Sequence, residues 1–357
     1  MHINAVHIKE VTFADTGTGT ANADQRDFYR LTMAGTAENA ERNAETSFED
    51  FARRAGETGP DLPARRLLLA RTTSDGAAAA TASLILPRRE NTHMVGVGVY
   101  VVPDQRRRGI ARALMVECLA GIRGTGRDIV WVGAVGSGSP GEAVAAALGL
   151  RPVYSYVRQV LEIEGTDPAA WRAEPPAGFR LELWTDAAPE ALVESYARAR
   201  SAIGGAPLQR SVFRYPEWTV ERVRSHEERW RSLRERHAVM AAVHEESGEV
   251  AAITELSFPS ADAKRVEQQY TTVLPAFRRR GLAVWIKGAM MLWLVEHHPR
   301  ARLVTTGTAA DNLGMISVNA RIGYRTIGAW TNYETELAQV EARLGAHAAA
   351  SQASDPA

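Results

Sequence analysis

A ten-residue motif occurs twice in the chain, and this repetition constrains the fold more than any other sequence feature. Residues 102–111 (VPDQRRRGIA) and 274–283 (LPAFRRRGLA) share an apolar residue before proline, three arginines and a glycine. Their glycines are 172 positions apart, and a second matching pair, 148–151 (LGLR) and 322–325 (IGYR), has an offset of 174. Two motifs at nearly one offset predict a duplicated domain.

The chain length and one proline-rich segment also favour two domains. A chain of 357 residues is too long for one compact core of ordinary size. Three prolines fall among Gly, Asp and Glu between residues 165 and 176, and this composition predicts a linker. We therefore expect an N-terminal domain at 1–164, a linker at 165–176, a C-terminal domain at 177–344 and a flexible Ala- and Ser-rich tail at 345–357.

The predicted secondary structure has the same order in both halves. Alternating and continuous apolar runs predict a series of antiparallel strands, followed by a strand–helix–strand–helix–strand unit. In the second half the strands are expected at 237–244, 250–258 and 266–274, and the long helix at 282–297. The fold class is therefore mixed α/β, with a mainly antiparallel sheet flanked by helices in each half.

The composition excludes several classes of protein. Acidic and basic residues balance at 42 each, so no net charge favours nucleic acid or an anionic membrane. The longest apolar stretch, 288–295, is too short to span a membrane, and residues 1–4 do not begin a signal segment. We expect a cytoplasmic protein, monomeric or homodimeric, without a metal site, in which the single cysteine, Cys118, belongs to the core.

Each repeated motif has the chemistry of an anion site. Proline ends the strand, a basic turn follows, and a helix begins at Gly109 or Gly281. The first amides of a helix have no internal partner and attract anions, and arginines add hydrogen bonds worth about 1.5–3 kcal/mol each. A single copy is equally compatible with a solvated strand-to-helix turn, but two copies in one context favour a pyrophosphate site.

The motif resembles the acetyl-CoA pyrophosphate loop of the GNAT superfamily of N-acetyltransferases. The pattern Arg-x-x-Gly-x-Ala occurs at 106–111 and at 278–283. The segments 312–315 (NLGM) and 319–324 (NARIGY) are similar to the second cofactor helix of that superfamily. The resemblance covers nearly the whole chain, and its two copies resemble the tandem GNAT proteins, a group that includes mycothiol synthases. It implies two GNAT folds and acetyl-CoA as the co-substrate.

The resemblance also implies which residues bind acetyl-CoA. The main chain of Val273 and Leu274 is expected to pair with the pantetheine arm, and Asn312 to support it. The first half can hold coenzyme A through its own loop, although a structural role is as good an interpretation. The expected cofactor-binding residues are Arg106, Arg108, Gly109 and Ala111 in the first half, and Val273, Leu274, Arg278, Arg279, Arg280, Gly281, Leu282, Ala283, Asn312 and Asn319 in the second.

The candidate general base lies in the second half. An ammonium group with a pKa of roughly 10.4 must lose a proton before it can attack a thioester, and a carboxylate can accept that proton. Glu267 lies eleven residues before Arg278, the spacing that the resemblance associates with the general base of histone-acetylating members. A surface carboxylate is the alternative interpretation. The matching position of the first half is Val95, and Glu255 is a second candidate for which structural pairing is the better interpretation.

The general acid is less well defined. Family members often carry a tyrosine where this chain has Asn319, and an asparagine cannot deliver a proton at neutral pH. Tyr324 and Tyr270 are the nearby phenols, and we take Tyr324 as the catalytic candidate. Protonation of the thiolate by water, or its unassisted departure, stays open.

The sequence predicts direct acetyl transfer from acetyl-CoA to the amine of a small molecule in a ternary complex. No nucleophile is placed for a covalent intermediate. The second half is expected to be catalytic and the first half degenerate or structural, since only the second has a carboxylate before its turn and the supporting asparagines. The acceptor stays open, with a mycothiol-synthase-like acceptor or another small amine as options. The alternative is a coenzyme-A-binding regulator or scaffold without turnover, which the missing tyrosine favours.

Overall fold

A computed structural model describes residues 6–13, 21–38, 46–59 and 61–353, with side chains as far as residue 345. The strands are β1 (Val6–Glu10), β2 (Ala64–Thr72), β3 (Ala78–Leu86), β4 (Met94–Val101), β5 (Ile129–Gly136), β6 (Arg151–Glu162), β7 (Phe179–Thr185), β8 (Arg236–His244), β9 (Val250–Phe258), β10 (Arg265–Val273), β11 (Leu303–Ala309) and β12 (Arg325–Glu336). The α-helices are α1 (Ala23–Glu38), α2 (Phe48–Ala55), α3 (Ile110–Leu119), α4 (Pro140–Ala147), α5 (Val193–Ser201), α6 (Val220–Ser232), α7 (Leu282–His297), α8 (Leu313–Ile322) and α9 (Leu337–Ala353).

The chain forms two compact units. The first unit comprises residues 1–155, 209–213 and 330–357, and the second comprises 156–208 and 214–329. The predicted boundaries at 164 and 177 divide the sequence into two continuous halves. The two units are instead defined by contacts between residues and include segments from both halves, so the predicted boundaries stay a prediction. Helix α9 continues to Ala353, into the predicted tail. Residues 354–357 of that tail, and residues 1–4, where a signal segment was not expected, lie outside the described residues.

The first unit has a six-stranded sheet in the order β1-β2-β3-β4-β5-β12. Neighbours are antiparallel except β4 and β5, which are parallel. Its core joins helix α3, through Leu114, to helix α9, through Val340. Cys118 is buried in the same core, and burial raises the pKa of its thiol to about 11, so the thiol stays protonated near neutral pH.

The second unit has the order β6-β11-β10-β9-β8-β7, and again a single parallel pair, β10 and β11. Alternate residues of β8 face two different cores, as the pleat of a strand requires. Met240 and Ala242 pack with helix α7, whereas Val239 and Ala241 pack with helices α5 and α6. The second sheet is therefore covered by helices on both faces.

The two halves of the sequence exchange their last strands. Residues 156–162 of β6 come from the first half of the sequence but pair with β11 in the second unit. Residues 330–336 of β12 come from the second half but pair with β5 in the first unit. Each sheet therefore contains one strand from the other half of the sequence.

The segment predicted as a linker is packed within the second unit. Trp171 is buried, and its indole nitrogen donates to the carbonyl oxygen of Ile322 at 2.9 Å. The carbonyl oxygen of Trp171 lies 2.1 Å from where a β-carbon would stand on Gly288 of helix α7. Only glycine permits this approach of the segment to the helix. The predicted fold class, a mixed and mainly antiparallel sheet flanked by helices, is confirmed for both units.

Candidate active site

The two repeated turns have the same backbone. In each, a short 3-10 turn (Pro103–Gln105 and Pro275–Phe277) follows the strand and leads to a positive φ of 63° at Arg107 and at Arg279. Helices α3 and α7 then begin after a left-handed glycine, with φ of 80° at both Gly109 and Gly281. A side chain at either glycine would meet no neighbouring atom within 4 Å, so the left-handed backbone, not space, requires the glycine.

Both helices begin with unpartnered amides. No side chain caps α3 or α7. The amide of Trp285 bonds to the carbonyl oxygen of Gly281 at 3.1 Å, and this is the first intrahelical bond of α7. The preceding amides therefore have no partner in the helix, and with the helix dipole they form an anion site. The same arrangement begins α3, where Ala113 bonds to Gly109 at 3.0 Å.

The arginines of the two turns have different partners. Arg106 donates to Glu38 Oε2 at 2.5 Å, and its guanidinium lies 5.9 Å from the centre of the Tyr100 ring. Arg278 is exposed, and its Nε donates only to the carbonyl oxygen of Val273 at 3.2 Å. Among the described residues, Arg278–Arg280 have no carboxylate partner. The second turn therefore keeps its positive charge available for an anionic ligand.

In each unit the two parallel strands separate beyond three paired residues. Strand β10 pairs with β11 from Arg265 to Glu267, and strand β4 pairs with β5 from Met94 to Gly96. Within the described residues, the rest of β10 and of β4 pairs with no strand on this side. Each pair therefore opens toward its glycine turn and leaves main-chain groups free to pair with an extended ligand.

Only the second unit has a bulge on the strand that leads to its turn. The register of β10 against β9 shifts by one residue between Gln268 and Thr271, so Gln269 and Tyr270 lie opposite Glu255 alone. Strand β4 pairs with β3 without a register shift from Val101 to Gly96. A bulge leaves one residue out of the ladder and redirects its groups. The second unit therefore has an extra amide where its strands separate.

Glu267 lies at the point where the strands separate. It is the last residue of β10 that pairs with β11, and its side chain is 46% exposed. Its Oε1 is 3.9 Å from Nη2 of Arg158, which comes from β6 and is nearly buried. The carboxylate is therefore accessible beside the opening of the strands. Its role as the base stays a prediction.

Glu255, the second candidate for the base, is fully buried opposite the bulge. It accepts from the Tyr196 hydroxyl at 2.9 Å and lies 3.1 Å from Nε of Arg200. The Arg200 guanidinium stacks 3.5 Å from the centre of the Trp218 ring. Structural pairing thus accounts for Glu255. Burial raises the pKa of the nearby Tyr270 hydroxyl, so that phenol stays protonated at neutral pH.

The remaining predicted site residues of the second half make structural hydrogen bonds. Asn312 caps helix α8, where its Oδ1 accepts from the amide of Met315 at 3.1 Å. Asn319 is buried and donates to Gln159 at 2.7 Å. Tyr324 is also buried, its hydroxyl donates to Gln268 Oε1 at 2.6 Å, and burial raises its pKa. All of these bonds are internal to the fold, and the predicted cofactor and catalytic roles stay predictions.

The structure adds two residues that the sequence analysis missed. Lys287 of helix α7 is fully buried, and its Nζ donates to Gln268 Oε1 at 2.5 Å. Gln268 is the strand residue between Glu267 and the bulge. The sequence could have indicated Lys287, because it is the only charged residue in the otherwise apolar segment 282–295.

Comparisons with known proteins indicate the family and the fold. Residues 19–149 match the profile of the Acetyltransferase (GNAT) family. A tandem GNAT protein from the clavulanic acid biosynthesis pathway has a TM-score of 0.73 and 25% identity, over 93% of this chain and 98% of that chain. A GCN5-related N-acetyltransferase from Sphaerobacter thermophilus has a TM-score of 0.68 and 18% identity, over 93% of this chain and 95% of that chain. A search of curated protein sequences returned no match.

Residues 19–149 thus carry the match to the GNAT acetyltransferase family, in agreement with the resemblance. More particularly, the chain has the fold of a tandem GNAT protein over 93% of its length, and the family match supports acyl transfer as the class of reaction. Among the described residues, no helix is long and apolar enough to cross a membrane. No group of three or more His, Cys, Asp or Glu side chains in the same part of the chain has the arrangement of a metal site.

Proposed function

We propose that the protein is an acetyl-CoA-dependent N-acetyltransferase that acetylates the amine of a small molecule, with the second unit as the catalytic one. One observation carries the proposal. In the second unit alone, the first arginine of the turn has no carboxylate partner, and the preceding strand has both a bulge and an accessible carboxylate. The first unit lacks the bulge, and its Arg106 forms an ion pair with Glu38.

The residues of the second unit fit a bound acetyl-CoA. The amides and arginines of 278–283 would hold the pyrophosphate, and the main chain of Val273 and Leu274 would hold the pantetheine arm. When bound, acetyl-CoA supplies the activated acetyl thioester. An amide of the bulge, at Gln269 or Tyr270, would donate to the carbonyl oxygen as negative charge develops there.

Glu267 would accept the proton of the acceptor ammonium group, directly or through water. The neutral amine then forms the new C–N bond as the C–S bond breaks, and the thiolate leaves. Tyr324 is not assigned the role of proton donor, because its buried hydroxyl already donates to Gln268. A small-molecule acceptor is consistent with the balanced charge of the chain, which offers no field for an extended charged polymer.

The function is tested by thiol release from acetyl-CoA against a panel of amino acids, amino sugars and polyamines. For an amine that is acetylated, we expect Glu267→Gln to lower kcat by about 100- to 10,000-fold, because the amide cannot accept the proton. The free energy of unfolding should change little, since the replaced side chain is half exposed.

Two outcomes would contradict the proposal. Full activity of Glu267→Gln would show that Glu267 is not the general base. A thermal shift with acetyl-CoA, but no thiol release with any amine of the panel, would favour a coenzyme-A-binding protein without turnover.

A further inference from the structure

Helix α7 buries a lysine that has no carboxylate partner. Lys287 has no exposed surface, and its Nζ donates to Gln268 Oε1 at 2.5 Å and lies 5.1 Å from the centre of the Tyr324 ring. Burial alone lowers the pKa of Lys287 to about 7. Burying an amine without a countercharge is unfavourable, so a residue of this kind needs a compensating role.

Gln268, which accepts the hydrogen bond from the lysine, makes hydrogen bonds through both its side chain and its main chain. Its Oε1 accepts from both Lys287 and the Tyr324 hydroxyl, and its Nε2 donates to Thr254 Oγ1 at 2.5 Å. Its main-chain oxygen accepts from Thr306 Oγ1 of β11 at 3.2 Å. Gln268 follows the last paired residue of β10 and precedes the bulge. These bonds therefore fix the strand where the parallel pair opens.

The first unit is an internal control. At the offsets of the repeated motifs, Lys287 corresponds to Met115 and Tyr324 to Leu150. The bulge adds one residue to β10, so Gln268 corresponds to Val97, which like Gln268 directly follows the last residue paired with the parallel strand. Val97, Met115 and Leu150 are buried in one apolar core. The same fold thus forms without any polar member of this set, so the fold does not require the network.

We propose that Lys287, Gln268 and Tyr324 form a positioning network that aligns Glu267 and the bulge of β10 with the donor site. Lys287 lies six residues after Gly281, on the helix whose first amides form the anion site. Gln268 directly follows Glu267 in the strand. The network therefore links the element that would hold the pyrophosphate to the strand that carries the candidate base. This inference rests on the proposed function.

The test is Lys287→Met, which copies the first unit, with Tyr324→Phe as the conservative variant and Met115→Leu as the matched control. We expect Lys287→Met to lower kcat by about 10- to 100-fold, because displacing a reacting group by about 1 Å causes a loss of this size. The KM for acetyl-CoA should change less than about threefold, because the glycine turn is untouched. The thermal midpoint should stay equal or rise, because a buried amine is replaced by an apolar side chain.

Tyr324→Phe should lower kcat by a smaller factor, since Gln268 keeps the bond from Lys287. Met115→Leu should leave kcat unchanged. The network is refuted if Lys287→Met keeps full kcat, or if kcat and the thermal midpoint fall together, as for a residue with a merely structural role.

A second readout separates this inference from the proposed function. Amide hydrogen exchange of peptides that cover 265–273 is measured with acetyl-CoA bound. Lys287→Met should speed that exchange at least about tenfold relative to the wild type, even if no amine is acetylated. Unchanged exchange in Lys287→Met would overturn the network. If exchange is faster in the variant but the wild type acetylates no amine, the network is retained and only the proposed function is rejected.

Discussion

The two glycine turns share one backbone and differ in their surroundings. Both have φ of 63° at the middle arginine and 80° at the glycine before the helix, and neither helix has a side-chain cap. Glu38, at the end of helix α1, nevertheless engages Arg106, whereas Arg278 is exposed without a carboxylate partner. The repeated sequence therefore specifies the geometry of an anion site, and a residue far away in the sequence determines whether the first arginine of the turn is paired.

The strands before the turns differ in the same way. Strand β4 follows its neighbour β3 in regular register, and Met115 and Leu150 are buried beneath its sheet in an apolar core. Strand β10 has a bulge and a buried network of hydrogen bonds. A duplicated fold can thus keep its backbone while polar groups accumulate in only one copy, and the predictions below test that asymmetry.

The glycines should separate the two copies most strongly. We expect Gly281→Val and Gly109→Val to lower the free energy of unfolding by similar amounts, about 1–2 kcal/mol, because both positions have the same left-handed φ. Only Gly281→Val should lower kcat/KM for acetyl-CoA, by about 100-fold, since its amides are displaced from the pyrophosphate. Chemical denaturation and steady-state kinetics on both variants measure the two effects. Equal losses of activity would show that the first turn also serves catalysis.

The arginines provide a finer comparison. Arg278→Gln removes a cation that has no carboxylate partner. We expect it to weaken acetyl-CoA binding about 10- to 150-fold, because one charge-assisted hydrogen bond is lost. Arg106→Gln should leave affinity unchanged, because Glu38 already occupies that guanidinium. Calorimetry reports both the affinity and the number of sites, and we expect one site per chain. Two sites in the wild type would contradict the asymmetry, and Glu38→Gln would then test whether Glu38 weakens the first of them.

The pH dependence of stability should distinguish Lys287 from its counterpart Met115. The pKa of Lys287 is lowered by burial from 10.5 to about 7, so between these values the unfolded chain binds a proton that the folded chain does not. The free energy of unfolding should then rise with pH by about 1.4 kcal/mol per unit, a tenfold change in the equilibrium constant. Below pH 7 the lysine is protonated in both states, and its destabilising effect is complete.

Denaturation of the wild type and Lys287→Met from pH 7 to 9.5 measures this dependence. The variant should be the more stable near pH 7, and its advantage should shrink as the pH rises. A constant difference across that range would mean that the folded chain keeps Lys287 charged, contrary to the lowered pKa.

Much of the fold was predictable because its elements have strong local patterns. The strand β9 and the helix α7 were expected with the bounds that they have, since each is a largely apolar run bordered by turn residues. The exchange of β6 and β12 was not predictable, because strand pairing across some 200 residues leaves no local pattern.

The site was predictable where a motif determines the backbone. The turns at Gly109 and Gly281 follow from the sequence, because a left-handed residue before a helix favours glycine. The pairing of Arg106 with Glu38, and the hydrogen bonds of Lys287, join residues that no motif connects. The hydrogen bonds that Asn312 and Asn319 make within the fold were likewise not predictable, and their cofactor roles stay predictions.

The exchange of last strands has a consequence for biosynthesis. When the ribosome has completed β5, its neighbour in the finished sheet, β12, still lies about 200 residues downstream, roughly 10–40 s of translation. During that interval the nascent first unit presents an unpaired sheet edge, the type of surface that associates with other chains. Cleavage within 165–176 would likewise give two fragments that each carry a strand of the other's sheet. The two copies therefore depend on each other for folding, whichever of them binds the co-substrate.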